Sequence, residues 1–220
     1  MDISNWNLLY IRDYKTGNLK NTNVFYNPFI NNEKNIMCLS FELDSEYLAT
    51  SCVALSDELL DLYFQRELSN LKQFQNMSWC PKILQVIKEE RKIFIEYNDT
   101  NLNHIVTDTA RNLDTEFPNW KEDVVGVIED LYNLGYYKIT IYPDSFFYDK
   151  NNQIKTLNYY AVNRQNPCLI EIDRVKPIFG EDSHNKYKDA TEGNYLNLET
   201  LFKRNLLYFS NWPEDIFLNL

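Results

Sequence analysis

Three short runs rich in apolar residues stand near the start of the chain, at residues 7–14, 24–30 and 36–41. Short apolar runs bounded by polar turn residues predict strands, and the segments 15–18 and 31–35 supply the turns between them. At residue 56 the period changes. Leu59, Leu60, Tyr63, Leu68, Leu71 and Phe74 fall mostly at helical spacing, and Ser56 or Asp57 can cap the start, which predicts a helix over 56–74. Two more apolar runs, 83–87 and 93–97, flank the charged Lys88-Glu89-Glu90-Arg91 and read as a hairpin. One sheet with one helix laid on it would bury the helix's apolar stripe.

The second half reads differently. Residues 102–113 fit a short helix. Asn119 followed by Glu122 has capping-box spacing, and Trp120, Val124, Ile128, Leu131 and Leu134 then form a core-facing stripe. Gly135 stands where a left-handed helix cap is needed. Strand-like runs follow at 139–142, 145–148 and 153–157, the last two separated by the turn at 149–152. Residues 164–193 are polar and irregular apart from 168–172, and 195–209 is helix-like up to Trp212-Pro213.

Composition narrows the class. A hydrophobic fraction of 44%, with sixteen Tyr and thirteen Phe, belongs to a chain that folds around a large core. The net charge of -10, with no basic stripe to override it, argues against a nucleic-acid partner. No basic-then-apolar leader opens the chain and no apolar run approaches the roughly 20 residues of a membrane span, so no membrane partner is expected. Cys38, Cys52, Cys80 and Cys168 lack metal or redox spacing and read as reduced thiols of a cytoplasmic protein. His104 and His184 have no zinc-like spacing, so no metal is expected. The weight of Asn, Lys, Ile and Tyr is that of AT-rich genomes, viral or phage ones among them.

The order strands, helix, two strands, helices, hairpin resembles that of a protein kinase over residues 20–160. Arg66-Glu67-Leu68-Ser69-Asn70-Leu71 is similar to the helix that carries the kinase ion-pairing glutamate, with Glu67 in that place. Residues 82–86 and 92–97 resemble the fourth and fifth kinase strands, and Glu96-Tyr97-Asn98-Asp99 resembles the hinge that meets adenine. Lys138-Ile139-Thr140-Ile141-Tyr142-Pro143-Asp144-Ser145 has the shape of the catalytic loop, and Asn158-Tyr159-Tyr160 falls where the metal-binding Asp-Phe-Gly would stand. The resemblance implies an α+β, two-lobed kinase-like fold. Residues 1–97 would form an N-lobe of antiparallel sheet plus one helix, and 98–220 a shortened, mostly helical C-lobe.

The departures from that pattern decide the expected chemistry. Phosphoryl transfer is mainly positioning and charge neutralisation, so each missing charge matters. No lysine occurs between Lys34 and Lys72, and the place of the third-strand lysine falls to Ser40. Thr140 stands for the catalytic aspartate, Ser145 for the magnesium-binding asparagine and Asn158 for the second metal-binding aspartate. Neither a hydroxyl nor an amide replaces a carboxylate's charge on magnesium. The phosphate loop would lie in 15–23, where Gly17 is the single glycine. Protein-kinase catalysis is therefore not expected, and the helical subdomain that binds peptide substrates would be shortened as well.

Glu67, Glu96, Tyr97, Asn98, Asp144 and Asp149 are the candidates for a remnant site. Against Glu67, Asp144 and Asp149 stands a plainer reading. Glu67 would be a solvated helix carboxylate, Asp144 and Asp149 turn formers, and the tyrosines 136, 137, 142, 148, 159 and 160 core residues with hydroxyls reaching polar partners. The expected function is a catalytically degenerate, pseudokinase-like protein that binds or regulates an unnamed protein partner, without cofactor apart from weak ATP binding at the hinge. The alternatives are a divergent small-molecule phosphotransferase using Asp144 or Asp149, and an unrelated α+β interaction protein.

Overall fold

The computed structural model describes residues 1–9, 11–12, 19–20, 26–42, 56–98, 100–138, 141 and 143–164, with the backbone alone at 11, 12, 19, 20 and 107. Thr140, the 15–18 segment with Gly17, Cys52, Cys168, His184 and the 195–209 helix lie outside them.

The early apolar runs contain β1 (Asn7–Leu8), β2 (Ile11–Arg12), β4 (Asn27–Asn31) and β5 (Ile36–Ser40), and β3 (Leu19–Lys20) lies between the first two runs. The β4–β5 turn closes with Asn35 at φ 54°, a left-handed conformation that asparagine tolerates. Helix α1 (Asp57–Gln73) begins where the period changes, and the Ser56 hydroxyl accepts the Leu59 N–H at 3.2 Å. The charged turn then joins β6 (Ile83–Ile87) to β7 (Lys92–Glu96). All five strands of the main sheet pair antiparallel, in the order β1-β4-β5-β7-β6.

Pleating sends alternate side chains of β5 to opposite faces. Met37, Leu39 and Phe41 join Ile93 and Ile95 in the core beneath α1, whose Phe64, Leu68 and Leu71 complete it. The Phe41 and Phe64 rings meet edge to face at 5.7 Å. The other face holds Cys38 and Phe94, with Trp6 packed edge-on against Phe94 at 5.8 Å. The result is a mixed α and β architecture built on one antiparallel sheet.

The following elements are α2 (Leu102–Thr107), α3 (Leu113–Glu116) and α4 (Trp120–Asn133). The helix expected over 102–113 is broken because Asp108 is extended (φ -93°, ψ 112°), and Asn112 caps a new start through the Thr115 N–H. The capping box expected at Asn119 does not form. Its backbone (φ -99°, ψ 15°) is not the extended one from which a cap side chain reaches back, so only its carbonyl takes part, accepting the Asp123 N–H at 2.9 Å. Gly135 does adopt the left-handed conformation, at φ 84°.

Beyond it come β8 (Tyr136–Lys138), a 3-10 turn Pro143–Ser145, β9 (Phe146–Tyr148), β10 (Ile154–Thr156), a second 3-10 turn Tyr159–Ala161 and β11 (Val162–Arg164). β9 and β10 form a hairpin, whereas β8 pairs with the distant β11, Lys138 opposite Val162. That pairing gives a strand at 136–138, and of the run expected over 139–142 only Ile141 is among the described residues. Among the described residues, no helix is long and apolar enough to cross a membrane.

Candidate functional site

Helix α1 presents Arg66, Glu67, Asn70 and Gln73 on one side, at the spacing of neighbouring turns. All four reach the second half of the chain. Arg66 donates to the Val162 carbonyl at 3.3 Å, and Asn70 donates to the carbonyls of Tyr159 at 2.8 Å and Val162 at 3.1 Å. Gln73 donates to the Tyr136 hydroxyl at 2.5 Å. Glu67 Oε2 accepts the Tyr160 N–H at 2.5 Å, while Oε1 is buried with no hydrogen-bond partner. The helix thus holds the backbone of 159–162 along its length.

Glu67 is 0% exposed, which overturns its reading as a solvated carboxylate. Burial raises its pKa, and the Tyr160 and Tyr159 N–H groups and the Lys138 charge oppose that shift only in part. Lys138 is equally enclosed and its pKa is lowered, first by desolvation, against the fields of Glu67 and Asp144. Its ammonium donates to the Leu157 carbonyl and, at 3.1 Å, to that of Asn158. Asn158 is left-handed at φ 63°, and its amide donates to the Ser145 hydroxyl at 3.0 Å while its oxygen accepts from the Tyr26 hydroxyl. Asp144, 6% exposed, lies in the turn beside Ser145, and its carbonyl accepts the Asn101 amide at 3.0 Å. Glu67, Lys138, Asp144, Ser145, Asn158 and Tyr26 form one buried polar cluster.

The remaining candidates gather elsewhere. Glu96, Tyr97, Asn98 and Asp149 line a cavity of about 350 Å³ between the β4–β5 turn, the β6–β7 edge and the β9–β10 turn. Asp149 Oδ1 accepts the N–H groups of Asn151 at 2.8 Å and Gln153 at 3.0 Å, the pattern of a side chain that builds its own turn. Its other oxygen and Glu96 Oε1 each lie 3.5 Å from the Lys155 ammonium. One hairpin joins the two places, its turn lining the cavity and its open end, at Ser145 and Leu157, bonded into the buried cluster.

Ser40 belongs to neither group. Phe41, its neighbour, packs on α1, so Ser40 points to the opposite face, where its hydroxyl donates to Glu42 near Lys92. The side of β5 that faces Glu67 carries Met37, Leu39 and Phe41 instead. The cation whose field reaches Glu67 is Lys138, from β8. Lysine within the apolar run Tyr136-Tyr137-Lys138-Ile139 is the signal that could have exposed it, since a lysine so flanked is either paired or costly. His104 is half-buried on α2. Tyr137, Tyr148 and Tyr159 are almost wholly buried, as a core role requires, and the Tyr148 hydroxyl donates to Asp123 at 2.7 Å.

No protein-family model matches this chain, and no curated protein matches it. Among solved structures the chain is similar to WbdD bound to a kinase inhibitor, with a TM-score of 0.47 and 13% identity over 83% of this chain and 43% of that one. Monomeric WbdD gives 0.46 and 13% over 82% and 44%. A WbdD structure described as a bifunctional kinase-methyltransferase gives 0.44 and 13% over 82% and 41%. This chain spans about two fifths of the length of those structures. Superposition this loose assigns no role to any residue, and the function has to be read from the chain's own side chains.

Proposed function

We propose that this chain is a two-lobed, protein-kinase-like unit that acts by binding a protein partner and does not transfer phosphate. One observation carries the reading. Glu67, which the resemblance sets in place of the ion-pairing glutamate, and Lys138, the cation whose field reaches it, are both wholly enclosed and bonded to backbone at 157–160. A group so engaged is withdrawn from ligand chemistry, because freeing it would strand a buried charge or buried carbonyls. Asn158, in the place of a metal-binding aspartate, spends its amide on Ser145 and its oxygen on Tyr26. The order of the five-stranded sheet, α1 and the later hairpin supports the kinase-like part of the reading.

The test is calorimetry and thermal shift with ATP, ADP and adenosine, each with and without magnesium. Without its lysine and carboxylate contacts, each contributing about 1.5–3 kcal/mol in a charge-assisted bond, ATP should show no magnesium-dependent binding and no release of ADP. Saturable, magnesium-dependent ATP binding below about 50 μM, on the order of −6 kcal/mol, with release of ADP, would overturn the proposal. That outcome favours a small-molecule phosphotransferase using Asp144.

A further inference from the structure

The cavity at the β9–β10 turn has a charge balance opposite to that of the chain. The protein carries -10 overall, yet Lys34, Lys82, Lys150 and Lys155 line this one space against two carboxylates, Glu96 and Asp149. The carboxylates are already committed. Both lie 3.5 Å from Lys155, which is 5% exposed and also donates to the Ser78 carbonyl at 2.7 Å. Glu96 Oε1 additionally accepts the Lys82 N–H at 3.0 Å, and Asp149 Oδ1 is spent on its turn. The floor is therefore a satisfied ionic knot.

The rim is not satisfied. Among the described residues the ammonium groups of Lys34, Lys82 and Lys150 have no ion pair, and all three side chains are exposed. They come from three separate elements, the β4–β5 turn, the start of β6 and the β9–β10 turn, so only folding brings them together. Like charges held around one cavity repel, and an anion between them relieves that repulsion. Lysine binds phosphate as a point charge, which suits a rim of flexible side chains. Leu84, 47% exposed and among the exposed large apolar residues, adds an apolar lip. The volume, about 350 Å³, falls in the range of small-molecule sites.

We infer that this cavity binds a small phosphomonoester, its phosphate held by Lys34, Lys82 and Lys150 and its organic group resting on Leu84. None of these residues belongs to the Glu67–Lys138 cluster, so the inference stands apart from the proposed absence of phosphoryl transfer. The probes are phenyl phosphate, inorganic phosphate, phenol and a short polyglutamate peptide, titrated into the full chain by calorimetry at low and high salt.

Phenyl phosphate should bind saturably, more tightly than inorganic phosphate and much more tightly than phenol, and should weaken at high salt. The double substitution Lys82→Glu with Lys150→Glu should reduce affinity at least tenfold. Lys82→Arg with Lys150→Arg should retain it, and Lys72→Glu, an exposed helix position away from the cavity, should leave it unchanged. Circular dichroism of each variant checks the fold, and the arginine pair keeps the test decisive if charge reversal perturbs it. Absence of saturable phenyl phosphate binding, equal loss in the Lys72→Glu control, or binding of polyglutamate alone would each overturn the inference.

Discussion

Glu67 and Lys138 come from opposite halves of the chain, and each is held by backbone groups of the segment between β10 and β11. Burying two charges costs more than their attraction returns unless the remaining polar atoms are satisfied. Here Lys138 is capped by two carbonyls, while one Glu67 oxygen has no hydrogen bond. Lys138→Met should cost about 1–3 kcal/mol, because the Leu157 and Asn158 carbonyls lose their ammonium donor. Glu67→Gln combined with Lys138→Met should show a coupling of about 0.5–3 kcal/mol in a double-mutant cycle read by chemical denaturation. Strict additivity would mean that the two groups do not sense each other. The pH dependence has a definite sign. With its pKa raised above 4.5 by burial, Glu67 keeps a proton in the folded chain that the unfolded chain releases, so stability falls as pH rises from 4.5. Lys138, lowered below 10.5, acts oppositely: the unfolded chain binds the extra proton, and stability is regained as pH rises towards 10.5. Glu67→Gln removes the first effect and enlarges the second, so the variant should gain on the native chain as pH rises above 4.5.

At the scale of elements, two helix starts that look alike in sequence differ in mechanism. Ser56 is extended and its hydroxyl accepts the Leu59 N–H, whereas Asn119 makes no side-chain cap bond to α4. Ser56→Ala should therefore cost about 0.5–2 kcal/mol, and Asn119→Ala should stay within about 0.5 kcal/mol of the native chain. Equal losses in urea denaturation would show that Asn119 caps α4 in solution. Helix α4 stands on other support. Trp120, Val124, Ile128 and Leu131 are buried on one side, and the Trp120 indole N–H donates to Asp114 at 2.7 Å. An aromatic seam links α1 to the later turns, with Tyr63 and Tyr160 edge to face at 5.6 Å and Trp79 stacked on Tyr159 at 6.4 Å.

Across the whole molecule, these contacts tie the sheet, α1 and the later hairpins into one cooperative core, which cysteine chemistry can report. Cys38 lies in the sheet and Cys80 in the connection from α1 to β6, and both are buried and free. Desolvation pushes the Cys38 thiol up to about 12 and the Cys80 thiol to about 11, so neither supplies much reactive thiolate near neutral pH. Both should be alkylated only on opening, and at the same rate if one cooperative transition exposes them. Peptide mapping after timed iodoacetamide treatment checks this. Faster labelling of Cys80 would reveal that the α1–β6 connection opens before the sheet.

Local features were legible from the residues alone. The change of period at Ser56, the left-handed Gly135, the turn built by Asp149 and the charged turn before Lys92 each depend on a few neighbouring residues. The tertiary structure decided what depends on distant partners. It chose the distant β11 as the mate of β8. It turned Ser40 away from α1 and buried Glu67 beneath 157–160. It also divided the candidate residues, sending Asp144, Ser145 and Asn158 to the buried cluster and Glu96, Tyr97, Asn98 and Asp149 to a lysine-rimmed cavity. Propensity and capping act within a turn or two of the chain. Burial, protonation and the meeting of Lys34, Lys82 and Lys150 around one space arise only when segments far apart in sequence exclude water together.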